Sequence, residues 1–231
     1  MLKKRVIACL LLNDGVLFRT KKFVPDYRYT ANFVGTEAVD EVFIIDVTKE
    51  GPSPKFHEAA GAYADKCYVP ITMGGWVQSL DDCKRLFGIG ADKIVVGRAA
   101  AIPGLVREIA LKFGSQAVVY GLQSEPGGWE NEKIAAVANM VAGFGAGEIF
   151  LQSVERDGSL EGYDIPLLKS VAAAVDCPVV IGGGCGNWGH MKEAFDAGAD
   201  GCMTSNIFHL AEGWMAGAKK HLSGQGVGIR P

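Results

Sequence analysis

The 231-residue sequence has no apolar stretch approaching the roughly 18 residues of a membrane-spanning helix. It has no C-x-x-C pair and no basic run longer than Lys3-Lys4-Arg5, and its four histidines (His57, His190, His209, His221) show no metal-ligand spacing. These absences exclude a spanning segment, a cysteine or histidine metal cage, and the electrostatic footprint of a nucleic-acid binder, the last in keeping with a net charge of −3. No metal and no cofactor is expected. The first residues, Met1-Leu2-Lys3-Lys4-Arg5 and a short apolar run, superficially suggest a signal peptide. The run breaks at Asn13-Asp14-Gly15 without a small-residue cleavage site, and reads instead as a buried first strand. The scattered cysteines (Cys9, Cys67, Cys83, Cys177, Cys185, Cys202) mostly fall in apolar contexts and read as small buried hydrophobes in a reducing cytoplasm. There is also no linker and no low-complexity segment. With 48% apolar and 21% charged residues, the composition is that of a single globular domain spanning 1–231.

What is present is a repeat. Asp40–Gly51 (DEVFIIDVTKEG) and Gly147–Gly158 (GEIFLQSVERDG) share an apolar run followed by a charged turn ending in glycine. Each copy is followed by a glycine signal, Gly74-Gly75 or Gly182-Gly183-Gly184, and then by a Gly-Ala-Asp triplet ending at Asp92 or Asp200. The offset is 107 residues from Glu41 to Glu148 and 108 from Asp92 to Asp200. A repeat of this length fits a closed two-fold architecture rather than a solenoid, with halves of about 1–112 and 113–231.

Short apolar runs alternate with helical patterns throughout. Strands are predicted at Val6–Leu12, Val42–Asp46, Val69–Thr72, Lys93–Val96, Ala117–Gly121, Ile149–Gln152, Val179–Ile181 and Cys202–Thr204. Their near-continuous apolar character is that of strands buried on both faces of a parallel sheet. Amphipathic segments follow at Leu80–Phe87, Leu105–Lys112, Lys133–Val141, Ile165–Val175 and Met191–Ala197, with Asp164 before Ile165-Pro166 as a helix start. The expected fold is an α/β (β/α)8 TIM barrel with a two-fold internal repeat; an open doubly wound sheet would not predict equivalent halves. Chemistry then belongs at the C-terminal strand ends, and the strand starts form the floor.

At the upper face, Gly74-Gly75, Gly97-Arg98, Gly183-Gly184 and Ser205-Asn206 follow four strands. Free backbone amides and helix N-termini there suit phosphate, and two such grips would hold a doubly phosphorylated small molecule. The alternative is that the glycines only make tight turns. Trp76 either narrows the mouth or packs as a core aromatic.

Arg5–Gly15 (RVIACLLLNDG), Asp40–Asp46, Gly90–Lys93 (GADK), Phe113–Gln116 (FGSQ), Gly145–Ile149 (GAGEI), Arg156–Asp164 (RDGSLEGYD) and Phe208-His209 together resemble the cyclase subunit family of imidazole glycerol phosphate synthase. The resemblance implies a glutaminase partner docked beneath the floor, ammonia travelling up the barrel, and two aspartates acting on a bis-phosphorylated ribulosyl imidazole precursor. It places the aspartates at Leu11 and Gln123. Leucine cannot carry a proton, and an amide is no general base near neutrality. The possible residual acids are Asp14, Asp46 and Asp164, the last two having equally good structural readings as a bonded carboxylate and a helix cap. The resemblance also implies an ammonia gate of charged residues at the strand starts, present here as Arg5, Glu41, Lys93 and Glu148, with Asp92 facing the docked partner. A salt-bridged plug without passage is the alternative. Arg19 falls in a loop where the family places a lysine over substrate. Cys185, with no evident base, is not expected to be catalytic.

An intact floor beneath an altered top is similar to a subgroup of cyclase-like proteins from bacterial surface-sugar pathways, including lipopolysaccharide, that supply ammonia to a separate sugar amidotransferase. The expected function is therefore an ammonia-channelling subunit of a glutamine amidotransferase (lyase-like) complex, in the cytoplasm, with the cyclase activity lost. The alternatives are a genuine histidine-biosynthetic cyclase and a non-catalytic scaffold for a phosphorylated ligand.

Overall fold

Arg5 opens a run of eight residues that are all buried, and a strand with no exposed face must be covered on both sides. The computed structural model, which describes residues 3–29, 38–97, 103–206 and 213–230, closes such strands into a barrel. In chain order these are β1 (Arg5–Asn13), the hairpin strands β2 (Val16–Lys21) and β3 (Val24–Arg28), then β4 (Glu41–Asp46), β5 (Ile71–Gly74), β6 (Lys93–Val96), β7 (Val118–Ser124), β8 (Glu148–Ser153), β9 (Val179–Gly182) and β10 (Gly201–Thr204). β1 and β4 to β10 pair in parallel with their neighbours, and β10 returns to β1 through Arg5↔Gly201 to Ala8↔Thr204. The chain is a (β/α)8 barrel.

From β4 onward the strand crossovers run through α1 (Pro54–Ala64), α2 (Leu80–Gly88), α3 (Pro103–Phe113), α4 (Asn131–Gly143), α5 (Ile165–Ala172) and α6 (Trp188–Asp196), and α7 (Trp214–Gly224) follows β10. Their starts obey capping chemistry. Ser79, Asp164 and Asn187 accept the backbone N–H of Asp82, Leu167 and His190, satisfying amides that a helix leaves unpaired. Among the described residues no helix is long and apolar enough to cross a membrane.

Alternation along β1 divides the core. Val6, Ala8, Leu10 and Leu12 pack outward with helix residues such as Phe56, Leu86, Ile109 and Leu168. Ile7, Cys9 and Leu11 join buried residues of the other strands (Phe43, Val95, Val119, Phe150, Val180, Met203), which fill the barrel interior. Each large apolar side chain removed from water in these layers contributes about 1.5–3 kcal/mol.

Several expected bounds shift, among them that β7 runs on to Ser124 and that α6 begins at Trp188. The third barrel strand runs Ile71–Gly74 rather than Val69–Thr72, because Pro70 has no N–H for the ladder and serves only as acceptor to Val42. Gly74 therefore ends a strand instead of following one. Arg19 lies in β2 rather than in a loop, and its guanidinium pairs with Asp26 across the hairpin. The helix expected over Ile165–Val175 ends at Ala172.

Candidate functional site

At the floor, β1, β4, β6 and β8 each begin with a charged residue, so the strand register brings four charges to one level. Arg5 reaches Glu41 Oε2 at 2.7 Å and also pairs with Glu148. Lys93 Nζ lies 2.8 Å from Glu41 and 2.9 Å from Glu148. The cycle is closed and electrically balanced: every cation touches both acids. Thr72, at the second residue of β5, adds a hydroxyl donor to Glu41 Oε1 at 2.7 Å. Glu41 and Glu148 are 2% and 4% exposed, so the four charges make each other tolerable in a dry setting. Burial works against the Arg5 guanidinium, but Glu148 and then Glu41 outweigh it and hold its pKa above the ordinary value.

Asp92 sits beside this ring, yet its Oδ2 accepts the Ile71 N–H at 2.7 Å. Its repeat mate Asp200 accepts the Val179 N–H at 3.1 Å, and Asp40 accepts the Val6 N–H at 2.8 Å. These acids tie the start of one strand to its neighbour.

Above the ring the interior is apolar, with Phe43 and Phe150 edge to face at 5.4 Å between centroids. It opens into a mouth cavity of about 670 Å³. Leu11 and Gln123 both line it, as do Asp46, Trp76, Gly97 and Gln152. Gln123 and Gln152 are register partners on β7 and β8, so two carboxamides stand side by side where the cavity meets the strand ends.

Each of the residual acids is already bonded to neighbouring donors. Asp46 lines the mouth, but its carboxylate accepts the Thr48 N–H (3.0 Å), the Thr48 hydroxyl (2.6 Å) and the Ser53 N–H (3.0 Å). Asp14 lines a separate groove against α1, where Lys55 and then Ser53 hold its carboxyl below the usual range. Asp164 caps α5. Trp76 takes the mouth-narrowing position of its two readings, its indole N–H donating to the Thr48 carbonyl at 2.9 Å.

The glycines divide by what surrounds them. A Cβ on Gly75 (φ +101°) would lie 2.5 Å from the Asp46 carbonyl oxygen, and one on Gly184 would lie 2.1 Å from that of Gly162. Close backbone packing alone requires glycine at both. Gly74 is similarly confined by Val95, and Gly183 by Ser153, whereas Gly97 meets nothing within 4 Å and faces open space. Gly183, Gly184, Ser205 and Asn206 do converge with Arg19, around a cavity of about 30 Å³ that has room for about one water. Arg98, Phe208 and His209 lie outside the described residues. Gly75→Ala should therefore cost more than about 2 kcal/mol in urea unfolding, through left-handed strain plus a backbone clash, and Gly97→Ala less than about 1 kcal/mol.

Burial pushes the Cys9 thiol far above its ordinary value and the Cys185 thiol to about 12, which disfavours the thiolate at both. Among the described residues no group of three or more His, Cys, Asp or Glu could hold a metal ion. Sequence reasoning missed Thr72, Thr48 and the hairpin residues Thr20 and Phe23 that wall the mouth. Thr72 was signalled by its place at the start of a strand beside Glu41; the others carry no motif.

These features define a class: a (β/α)8 barrel with a ring of paired charges at its floor and an open mouth at the strand C-termini. A family model described as "Histidine biosynthesis protein" matches residues 5–213. "Imidazole glycerol phosphate synthase subunit HisF" of Frankia casuarinae (strain DSM 45818 / CECT 9043 / HFP020203 / CcI3) is 35% identical over 249 residues, covering 98% of both chains. The chain belongs to the histidine biosynthesis protein family, as a HisF-like cyclase barrel subunit.

Proposed function

We propose that this barrel conducts ammonia and has lost the cyclase chemistry. A glutaminase docked beneath the floor, with Asp92 near the interface, releases ammonia from glutamine. The ring of Arg5, Glu41, Lys93 and Glu148 admits it, the apolar interior carries it as neutral ammonia, and it leaves at the mouth for an acceptor. The interior favours the neutral molecule because a dry passage penalises ammonium far more than ammonia. The acceptor is the substrate of a separate amidotransferase acting on a bacterial surface sugar. The observation that carries this reading is the pairing of a complete charged ring with a mouth whose two acid positions are Leu11 and Gln123.

Titrating the chain into a candidate glutaminase from the same genome tests this. A saturable one-to-one rise in glutamine hydrolysis is expected. In the Lys93→Met complex, amidation of the acceptor by glutamine should fall relative to amidation by added ammonium. Absence of any complex would count against the reading.

The second reading is a genuine cyclase, favoured by similarity to HisF along the whole chain. It requires Asp46 to release one of its three donors and act as the proton-transfer group. Complementation of a histidine auxotroph would support it.

A further inference from the structure

The hairpin of β2 and β3 turns on Lys22 and Phe23, and both have left-handed backbones, φ +51° and +61°. Two such residues in a two-residue loop suit the twist of a hairpin, but the geometry is ordinarily supplied by Asn-Gly or Gly-Gly. Lysine and phenylalanine are sterically disfavoured there. Left to itself, this turn favours opening.

The groups that oppose opening lie on the far side of the mouth, in the loop after β8. Asp157 is 1% exposed, and its Oδ2 accepts the Phe23 N–H at 3.0 Å. Its backbone carbonyl accepts the Lys22 N–H at 3.2 Å, so both strained residues are held by one residue 134 positions on from Phe23. Asp157 is itself anchored, its N–H donating to the Ser153 carbonyl at 3.1 Å. The next residue, Gly158, lies against the hairpin: a Cβ there would sit 2.7 Å from the Thr20 carbonyl oxygen and 3.2 Å from Lys21 Cα. Burial pushes the Asp157 carboxyl above its ordinary pKa, opposed by the Phe23 amide, so the seat is an expensive place for an acid. Thr20 and Phe23 are walls of the mouth cavity.

We infer that Asp157 and Gly158 form a latch that holds the strained β2–β3 hairpin against the barrel and so sets the shape of the mouth above Leu11 and Gln123. Asp157 is a positioning residue acting through Phe23. The inference does not depend on what passes through the mouth.

Amide hydrogen exchange on the full chain tests it. In Asp157→Ala, which loses one charge-assisted hydrogen bond, and in Gly158→Ala, whose Cβ would press on Thr20 and Lys21, exchange over β2, β3 and their turn should accelerate at least about tenfold. Exchange in β4 to β10 should stay as in the parent. Asp157→Asn keeps an oxygen for the Phe23 amide and should stay within about threefold of the parent. Adding Lys22→Asn and Phe23→Gly to Asp157→Ala should restore protection, because the relaxed turn no longer needs the latch. Unchanged hairpin exchange in Asp157→Ala and Gly158→Ala, loosening confined to the loop after β8, or failure of Asn-Gly to rescue would each overturn the inference.

Discussion

Replacing Arg5 by methionine should lower the free energy of unfolding by about 3–5 kcal/mol in urea titrations at neutral pH. Arg5 is the ring member that touches both Glu41 and Glu148 from β1. Without it, two almost wholly buried carboxylates share the single ammonium of Lys93, and the balanced cycle becomes a net negative charge in a low-dielectric setting. Methionine replaces much of the aliphatic volume, so the loss reports the charge rather than a cavity. The exposed Lys84–Asp81 pair on α2 is the internal control. Screened by water, its removal should leave the midpoint where it was.

The second large effect is catalytic. Supplied with ammonium and the bis-phosphorylated ribulosyl imidazole precursor, the chain should be at least about 10⁴-fold slower than a barrel carrying aspartates at both strand ends. Each positioned acid or base typically contributes about 10²–10⁴, and Leu11 and Gln123 supply neither. Among the described residues lining the mouth the one carboxylate is Asp46, which is bonded by Thr48 and Ser53, and Asp14 faces another groove. If turnover were nonetheless rapid, Asp46→Asn would decide whether that carboxylate had taken over the proton transfer. On the present account this substitution changes stability and leaves a rate already at background.

The barrel was legible because strands buried on both faces need unbroken apolar runs, and eight such runs at regular spacing have few other solutions. The ring residues Arg5, Glu41, Lys93 and Glu148 were legible through the family resemblance; on physical grounds it followed only that four charges at a dry barrel end must bond to one another. The β2–β3 hairpin was not foreseen. Its turn residues are Lys22 and Phe23 in place of Asn or Gly, and the groups that hold it, at Asp157 and Gly158, are remote in sequence. α1 also went unread. Its segment PKFHEAAGAYA includes Gly61 and has no side-chain cap, and the Ser53 hydroxyl before it donates to Asp14. The satisfied state of Asp46 depends on residues of the following loop whose path no periodicity encodes. The glycines carried a signal with two readings. Gly75 and Gly184 look like ligand cradles in the sequence, yet the packing of Asp46 and Gly162 already demands them. Gly97, with nothing beside it, faces open space.

The central claim is that the floor has kept its work while the mouth has lost the family's chemistry. Its most direct test is one stoichiometry, measured on the chain together with its glutaminase in the presence of glutamine and the bis-phosphorylated precursor. The ratio of imidazole product to glutamate should be close to zero, with glutamate still accumulating. One imidazole product per glutamate would contradict the account.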